Sequence, residues 1–170
     1  MEVQQHIYQD VGRGTSPGGI YMNKFMKRAV QLALDNVQAG GQPFGAVLVK
    51  DGMIIAEGVN ELHKHYDVSG HAELLAIRRA QEKEKTDDLS EYTMYASGEP
   101  CPMCLSAMYF VGITDLYYCQ PIADAVEVGL DRSKVIYDDL KLVNEEREIV
   151  KKHMPLKADD KNPMKEWDKR

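Results

Sequence analysis

The sequence lacks any uninterrupted apolar stretch long enough to span a bilayer, and its first residues lack the basic-then-apolar order of a secretory leader. Cysteine is scarce. Three cysteines in 170 residues are an odd number and no disulfide framework, and they fit a reducing compartment better than an oxidising one. An excess of positive charge is also missing. The 21 basic residues face 27 acidic ones, a formal charge of −6, which gives no general attraction to phosphate backbones and weighs against a nucleic-acid substrate. The small basic groups Lys27-Arg28, Arg78-Arg79 and Lys151-Lys152 read as solvated faces. Internal repeats are lacking, so a solenoid is not expected. What is present is a 44% hydrophobic chain, long enough for one buried core and short for two. One cytoplasmic globular domain is the expectation.

Residues 1–21 contain the Gly/Pro-rich run from Val11 to Gly19 and read as a flexible extension, leaving 22–170 as the folded domain. From Asn23, a plausible N-cap, the residues Phe25, Met26, Ala29, Val30, Ala33, Leu34 and Val37 recur at helical steps up to a stop at Gly40-Gly41. Asp51-Gly52 then joins two strands, near 44–50 and 53–59, as a β-hairpin. A polar loop holding His63 and His65 leads to a helix whose first turn carries His71 and Glu73. Tyr92–Ala96 is a strand, Met103–Val111 a helix, Asp115–Cys119 a strand and Asp124–Gly129 a short helix. Past Tyr137 the pattern fades: Arg147–Leu156 suits a last strand or a helix, and Asn162–Trp167 a short helix with the lone Trp. Alternating strands and helices imply parallel neighbours, the hairpin adds an antiparallel pair, and a mixed sheet in an α/β sandwich satisfies both.

The chemistry concentrates in Glu99-Pro100-Cys101-Pro102-Met103-Cys104 and the earlier His71-Ala72-Glu73. If a helix opens after Pro100, Cys101 and Cys104 stand one turn apart on one face and both sulfurs reach a single metal ion, with His71 as third ligand. Pro102 suits the first helical position, and a helix N-terminus favours the thiolates that bind zinc. Three protein ligands leave one tetrahedral position open, as in a catalytic zinc site. On a helix His71 and Glu73 would project roughly 200° apart, so Glu73 is expected to be a proton carrier and not a ligand. His-x-Glu followed by Pro-Cys-x-x-Cys is the signature of zinc-dependent base deaminases. The competing possibility is a closed, structural zinc site completed by His63 or His65.

With these residues the chain resembles the cytidine-deaminase superfamily, and within it the bacterial guanine deaminases. The likeness runs from about Asn23 to Trp167 through Pro43-Phe44-Gly45-Ala46-Val47, Ile54–Gly58 with Asn60, the two zinc motifs, and Asp124-Ala125-Val126-Glu127-Val128-Gly129. The resemblance implies a three-layer α/β/α sandwich around a mixed sheet of about five strands and one zinc ion per chain. It further implies that Asn60 hydrogen-bonds a purine, that Phe44 packs against it, and that Phe110 offers a stacking ring. A second acidic proton shuttle would be Asp131, although Gly129-Leu130-Asp131-Arg132-Ser133 departs from the family pattern by one apparent inserted residue. In that family the C-terminal segment swaps between subunits, so the implied assembly is a homodimer in which residues 157–170 and Trp167 form a lid; alternatively Trp167 anchors the tail to its own core. The implied activity is deamination of a free purine base, guanine to xanthine and ammonia. A tRNA adenosine deaminase, another small nucleobase, nucleoside or aminotriazine substrate, and a non-catalytic zinc-stabilised interaction module are the alternatives. No membrane partner is expected.

Overall fold

A computed structural model describes residues 22–168, so the expected extension over 1–21 lies outside the described residues. These residues form two compact units, one ending at Tyr137 and one beginning at Asp138.

The first unit is built on a mixed four-stranded sheet. Helix α1 (Lys24–Gln38) starts where the Asn23 side chain accepts the amides of Phe25 and Met26 at 3.0 and 2.9 Å, two donors that the first turn would otherwise leave unpaired. It ends before Gly40, whose φ of +89° an L side chain would resist. Strands β1 (Gly45–Lys50) and β2 (Met53–Val59) pair antiparallel through Asp51 and Gly52, both at positive φ as a type I′ hairpin turn requires. Helix α2 (Ala72–Glu84) then crosses to strand β3 (Thr93–Gly98), which lies antiparallel to β1, and helix α3 (Pro102–Phe110) carries the chain to strand β4 (Asp115–Gln120), parallel to β3. The order is β2-β1-β3-β4. Helices α4 (Ile122–Glu127) and α5 (Arg132–Leu140) follow.

Period-two alternation sorts the core into two layers. Val47, Val49 and Tyr95 face α1 and pack on Phe25, Met26 and Ala29, while Ala46, Leu48, Ala56 and Met94 face the other way onto Ala72, Ala76, Ile77 and Ala80 of α2 and Met108 of α3. This is the expected three-layer sandwich. The sheet has four strands where about five were implied. Arg147–Leu156 is neither helix nor strand; within it the Asn144 side chain brackets Lys151, donating to its carbonyl and accepting its amide at 3.1 and 3.0 Å, and so occupies the two backbone groups of that one residue.

The second unit holds a 3₁₀ turn (Asn144–Glu146) and helix α6 (Pro163–Trp167), capped by the Asn162 side chain.

Candidate active site

The site gathers where α2 and α3 begin. Cys101 is the N-cap of α3 with extended backbone (φ −68°, ψ 166°), so its sulfur folds back over the helix and accepts the Cys104 amide at 3.5 Å, while Pro102 occupies the first helical position. Cys104 is fully buried one turn on. His71 is likewise the N-cap of α2 in extended conformation, and its ring caps nothing. Its Nδ1 instead lies 3.5 Å from Cys101 Sγ and 3.6 Å from Cys104 Sγ.

Because His71 stands outside the helical backbone, the roughly 200° separation expected between His71 and Glu73 does not hold. Glu73 is in the first turn of α2, 6% exposed, with Oε2 3.4 Å from Cys104 Sγ. The carboxylate thus faces the same cluster as the ligands. Burial raises its proton affinity above the ordinary carboxylate value, with its own amide and the Cys104 thiol opposing. Cys101 is pushed toward thiolate, first by the Cys104 thiol and then by the His71 ring and the Cys104 amide, whereas Cys104 is pushed up by donating to Cys101 and by burial. His71 is raised by its bond to Cys101.

The three donor atoms suit zinc. Tetrahedral bonds of the usual Zn–S and Zn–N lengths would put sulfur and nitrogen about 3.6 Å apart. The two separations of 3.5 and 3.6 Å meet that value, and all three atoms lie within 4.8 Å of one another. His63 and His65 are exposed and stand outside this metal-binding group, so neither completes a closed site. A tetrahedral zinc held by these three donors would keep one position for a small molecule.

His71, Glu73 and Cys101 line one cavity together with Phe44, Asn60, Ala72, Glu99 and Ser133. Phe44 lies over Gly98, where an added Cβ would come within 3.0 Å of the ring, and also packs on the core, so it is both wall and core residue. Asn60 is 1% exposed and half committed internally: its amide nitrogen donates to Gln42 Oε1 and its oxygen accepts the Leu62 amide, both at 3.1 Å. One N–H and one lone pair remain for a ligand. Glu99 accepts the Ile122 amide on Oε2 at 2.9 Å.

Other expected residues lie elsewhere. Asp131 is exposed just before α5, its carbonyl accepting the Val135 amide, and is not among the cavity's lining residues. Phe110 ends α3 at 91% exposure, neither core nor wall on this chain, and Trp167 is 66% exposed on α6. A larger groove in the second unit, lined by Pro163, Met164 and Trp167, contains none of the cluster. Glu99 opens the cysteine motif without a spacing that marks it as functional, and Ser133 and Tyr137 sit on α5, a helix with no clear signal in the sequence. The Tyr137 hydroxyl, pushed up to about 12 by burial, donates to the Pro100 carbonyl at 2.9 Å, immediately before the first cysteine.

The model of the cytidine and deoxycytidylate deaminase zinc-binding region matches residues 21–120. The chain is 47% identical over 126 residues to the guanine deaminase of Bacillus subtilis, covering 74% of this chain and 80% of that protein. It is 39% identical over 107 residues to a tRNA-specific adenosine deaminase of Agrobacterium fabrum, covering 59% and 70%. The crystal structure of the Bacillus subtilis guanine deaminase superposes with a TM-score of 0.80 at 41% identity, over 88% of this chain and 96% of that one.

Proposed function

The chain belongs to the cytidine and deoxycytidylate deaminase family and is a zinc-dependent aminohydrolase, and from that premise we propose that it hydrolyses guanine to xanthine and ammonia. The observation that carries the reading is the buried Glu73 carboxylate, 3.4 Å from a zinc-ligand sulfur inside a cavity walled by Phe44 and Asn60.

His71, Cys101 and Cys104 would hold one zinc ion per chain. Zinc bound there supplies Lewis acidity that brings the pKa of a coordinated water down to about 7. Asn60, preoriented by Gln42 and Leu62, would hold the flat base by its polar edge, and Phe44 would cover a face. Glu73 takes the proton that water gives up as its oxygen adds to the amine-bearing carbon. Its carboxyl delivers that proton to the adjacent ring nitrogen. It then carries the second water proton to the amine, the C–N bond breaks, and ammonia leaves, so that one water and one guanine become one xanthine and one ammonia. Asp131 is proposed as a second shuttle on the strength of the family likeness.

A free base fits better than tRNA. The cavity lining includes two carboxylates, Glu73 and Glu99, and no Lys or Arg to grip a phosphate.

The same reading includes a cytoplasmic homodimer in which each tail, from about residue 157, closes over the partner's cavity. Two features support it: Tyr109 and Phe110 at the end of α3 are 78% and 91% exposed, and in the tail unit Met164 and Trp167 are 75% and 66% exposed. No helix among the described residues is long and apolar enough to cross a membrane. The test of the function is ammonia release from guanine by the zinc-loaded protein, against the same protein carrying Glu73→Gln.

A further inference from the structure

We propose that Ser133 contacts the base through its hydroxyl and that Tyr137 is the positioning residue that holds it there; this rests on the deaminase reading above and adds to it a polar group of the cavity wall.

The cavity's polar side chains differ in how much of their hydrogen-bonding capacity is already used. Asn60 spends half on Gln42 and Leu62, and Glu99 spends one oxygen on the Ile122 amide. The Ser133 hydroxyl, lining the same cavity, has no hydrogen-bond partner among the described residues. A hydroxyl both donates and accepts, so it can meet a ring nitrogen, a carbonyl oxygen or an N–H of a purine edge. A group half-buried in a binding cavity and left without an internal partner is available to a ligand, and a base that fills the cavity would strip it of water.

Ser133 is held by its own helix. Residues four apart share a helix face, so Ser133 and Tyr137 stand one turn apart on the same side of α5. The Tyr137 hydroxyl donates to the Pro100 carbonyl at 2.9 Å. That carbonyl belongs to the turn that delivers Cys101. One bond therefore ties the face of α5 bearing Ser133 to the loop bearing the first zinc ligand, fixing the distance between the polar wall and the reacting end of the cavity. Nothing else of Tyr137 is needed for chemistry.

The test uses the full-length, zinc-loaded protein, with steady-state ammonia release measured on guanine, guanosine, adenine and cytosine. For the best of these substrates, Ser133→Ala should raise KM about tenfold, the worth of one hydrogen bond to substrate, while kcat falls less than threefold and zinc content and Tm stay at wild-type values. Ser133→Thr keeps the hydroxyl and should restore KM. Tyr137→Phe should raise KM in the same direction, and the double variant should be no worse than Ser133→Ala alone, since Tyr137 acts through Ser133. An unchanged KM in Ser133→Ala overturns the contact and leaves the deaminase reading intact. Additive losses in the double variant overturn the positioning role. Release of ammonia from none of the four overturns the proposed free-base substrate and this inference together.

Discussion

Glu73 Oε2 lies 3.4 Å from Cys104 Sγ, so the residue that moves protons and a residue that would hold the metal are in direct contact inside the core. A Cys104 thiolate holding zinc would have no proton to donate, which would leave the Glu73 carboxylate available to the cavity it lines. Glu73→Gln keeps the shape and removes the proton site. It should retain one zinc ion per chain and the wild-type Tm, and lower kcat by about 10² to 10⁴. Metal analysis beside ammonia release checks this; a variant that loses zinc would mean that Glu73 holds the ligand shell and is not a shuttle.

Cys101 and Cys104 supply the soft donors of the cluster, and a serine hydroxyl replaces neither. Cys101→Ser or Cys104→Ser should weaken zinc by more than about 100-fold, and activity should fall with metal content. Competition with a chelating dye reads the affinity, and wild-type affinity in either variant would remove that cysteine from the ligand set.

Gly58 sets the seat of α2. A Cβ built there would come within 2.1 Å of the Ala72 carbonyl, the backbone between His71 and Glu73. Gly58→Ala must therefore push the first turn of α2 off β2. It should cost about 1–3 kcal/mol of stability in urea denaturation and weaken zinc as well. Loss of stability with untouched zinc affinity would show that the helix start does not govern the metal cluster.

The arrangement just described marks the boundary of what was legible in the sequence. Asn23 as a cap, Asp51-Gly52 as a hairpin turn and Pro102 as an opening helical residue all act through their immediate neighbours, so local chemistry revealed them. His71, Cys101 and Cys104 were legible because their spacing leaves few alternatives. What failed involved longer range or a cap mistaken for a turn. His71 precedes the helix that its spacing assigns it to, and that single backbone difference lets its ring reach the same Cys104 sulfur that Glu73 faces. Arg147–Leu156 has strand-like residues but pairs with no strand, and a side chain, Asn144, takes both backbone groups of Lys151 within it. Helix α5 was missed because its inward face is short and partly polar, and with it went Ser133 and Tyr137. Cavity walls built from distant segments leave no periodic trace.

Arg28 binds Glu57 through two bonds of 2.7 and 2.8 Å, joining α1 to β2, and the guanidinium holds the Glu57 carboxyl below its ordinary 4.5. A depressed folded pKa contributes stability that is present above the ordinary value and is lost as pH falls through the folded one. The pair is partly solvent-exposed, so Glu57→Gln should cost less than about 1 kcal/mol at pH 7. The gap from wild type should shrink as pH drops below about 4.5, the unperturbed carboxyl value, as urea melts at pH 7 and pH 4 would record. A gap that widens on acidification would contradict the pairing.

The proposed tail exchange is tested by mixing. Trp167→Ala alone should lower kcat/KM if the tail covers a cavity. Unfolded and refolded together with Glu73→Gln, it should regain activity, because a mixed dimer pairs one intact Glu73 with the partner's intact tail. Absence of recovery, with mixed dimers present, would place each tail on its own chain.

The central claim is that Glu73 and the His71, Cys101, Cys104 cluster deaminate a free purine. Incubating zinc-loaded wild-type protein with guanine and following both products tests it most directly. Xanthine and ammonia should appear in a one-to-one ratio, and the rate of both should fall by about 10² to 10⁴ in Glu73→Gln. No turnover of guanine alongside turnover of tRNA, or undiminished turnover in Glu73→Gln, would contradict it.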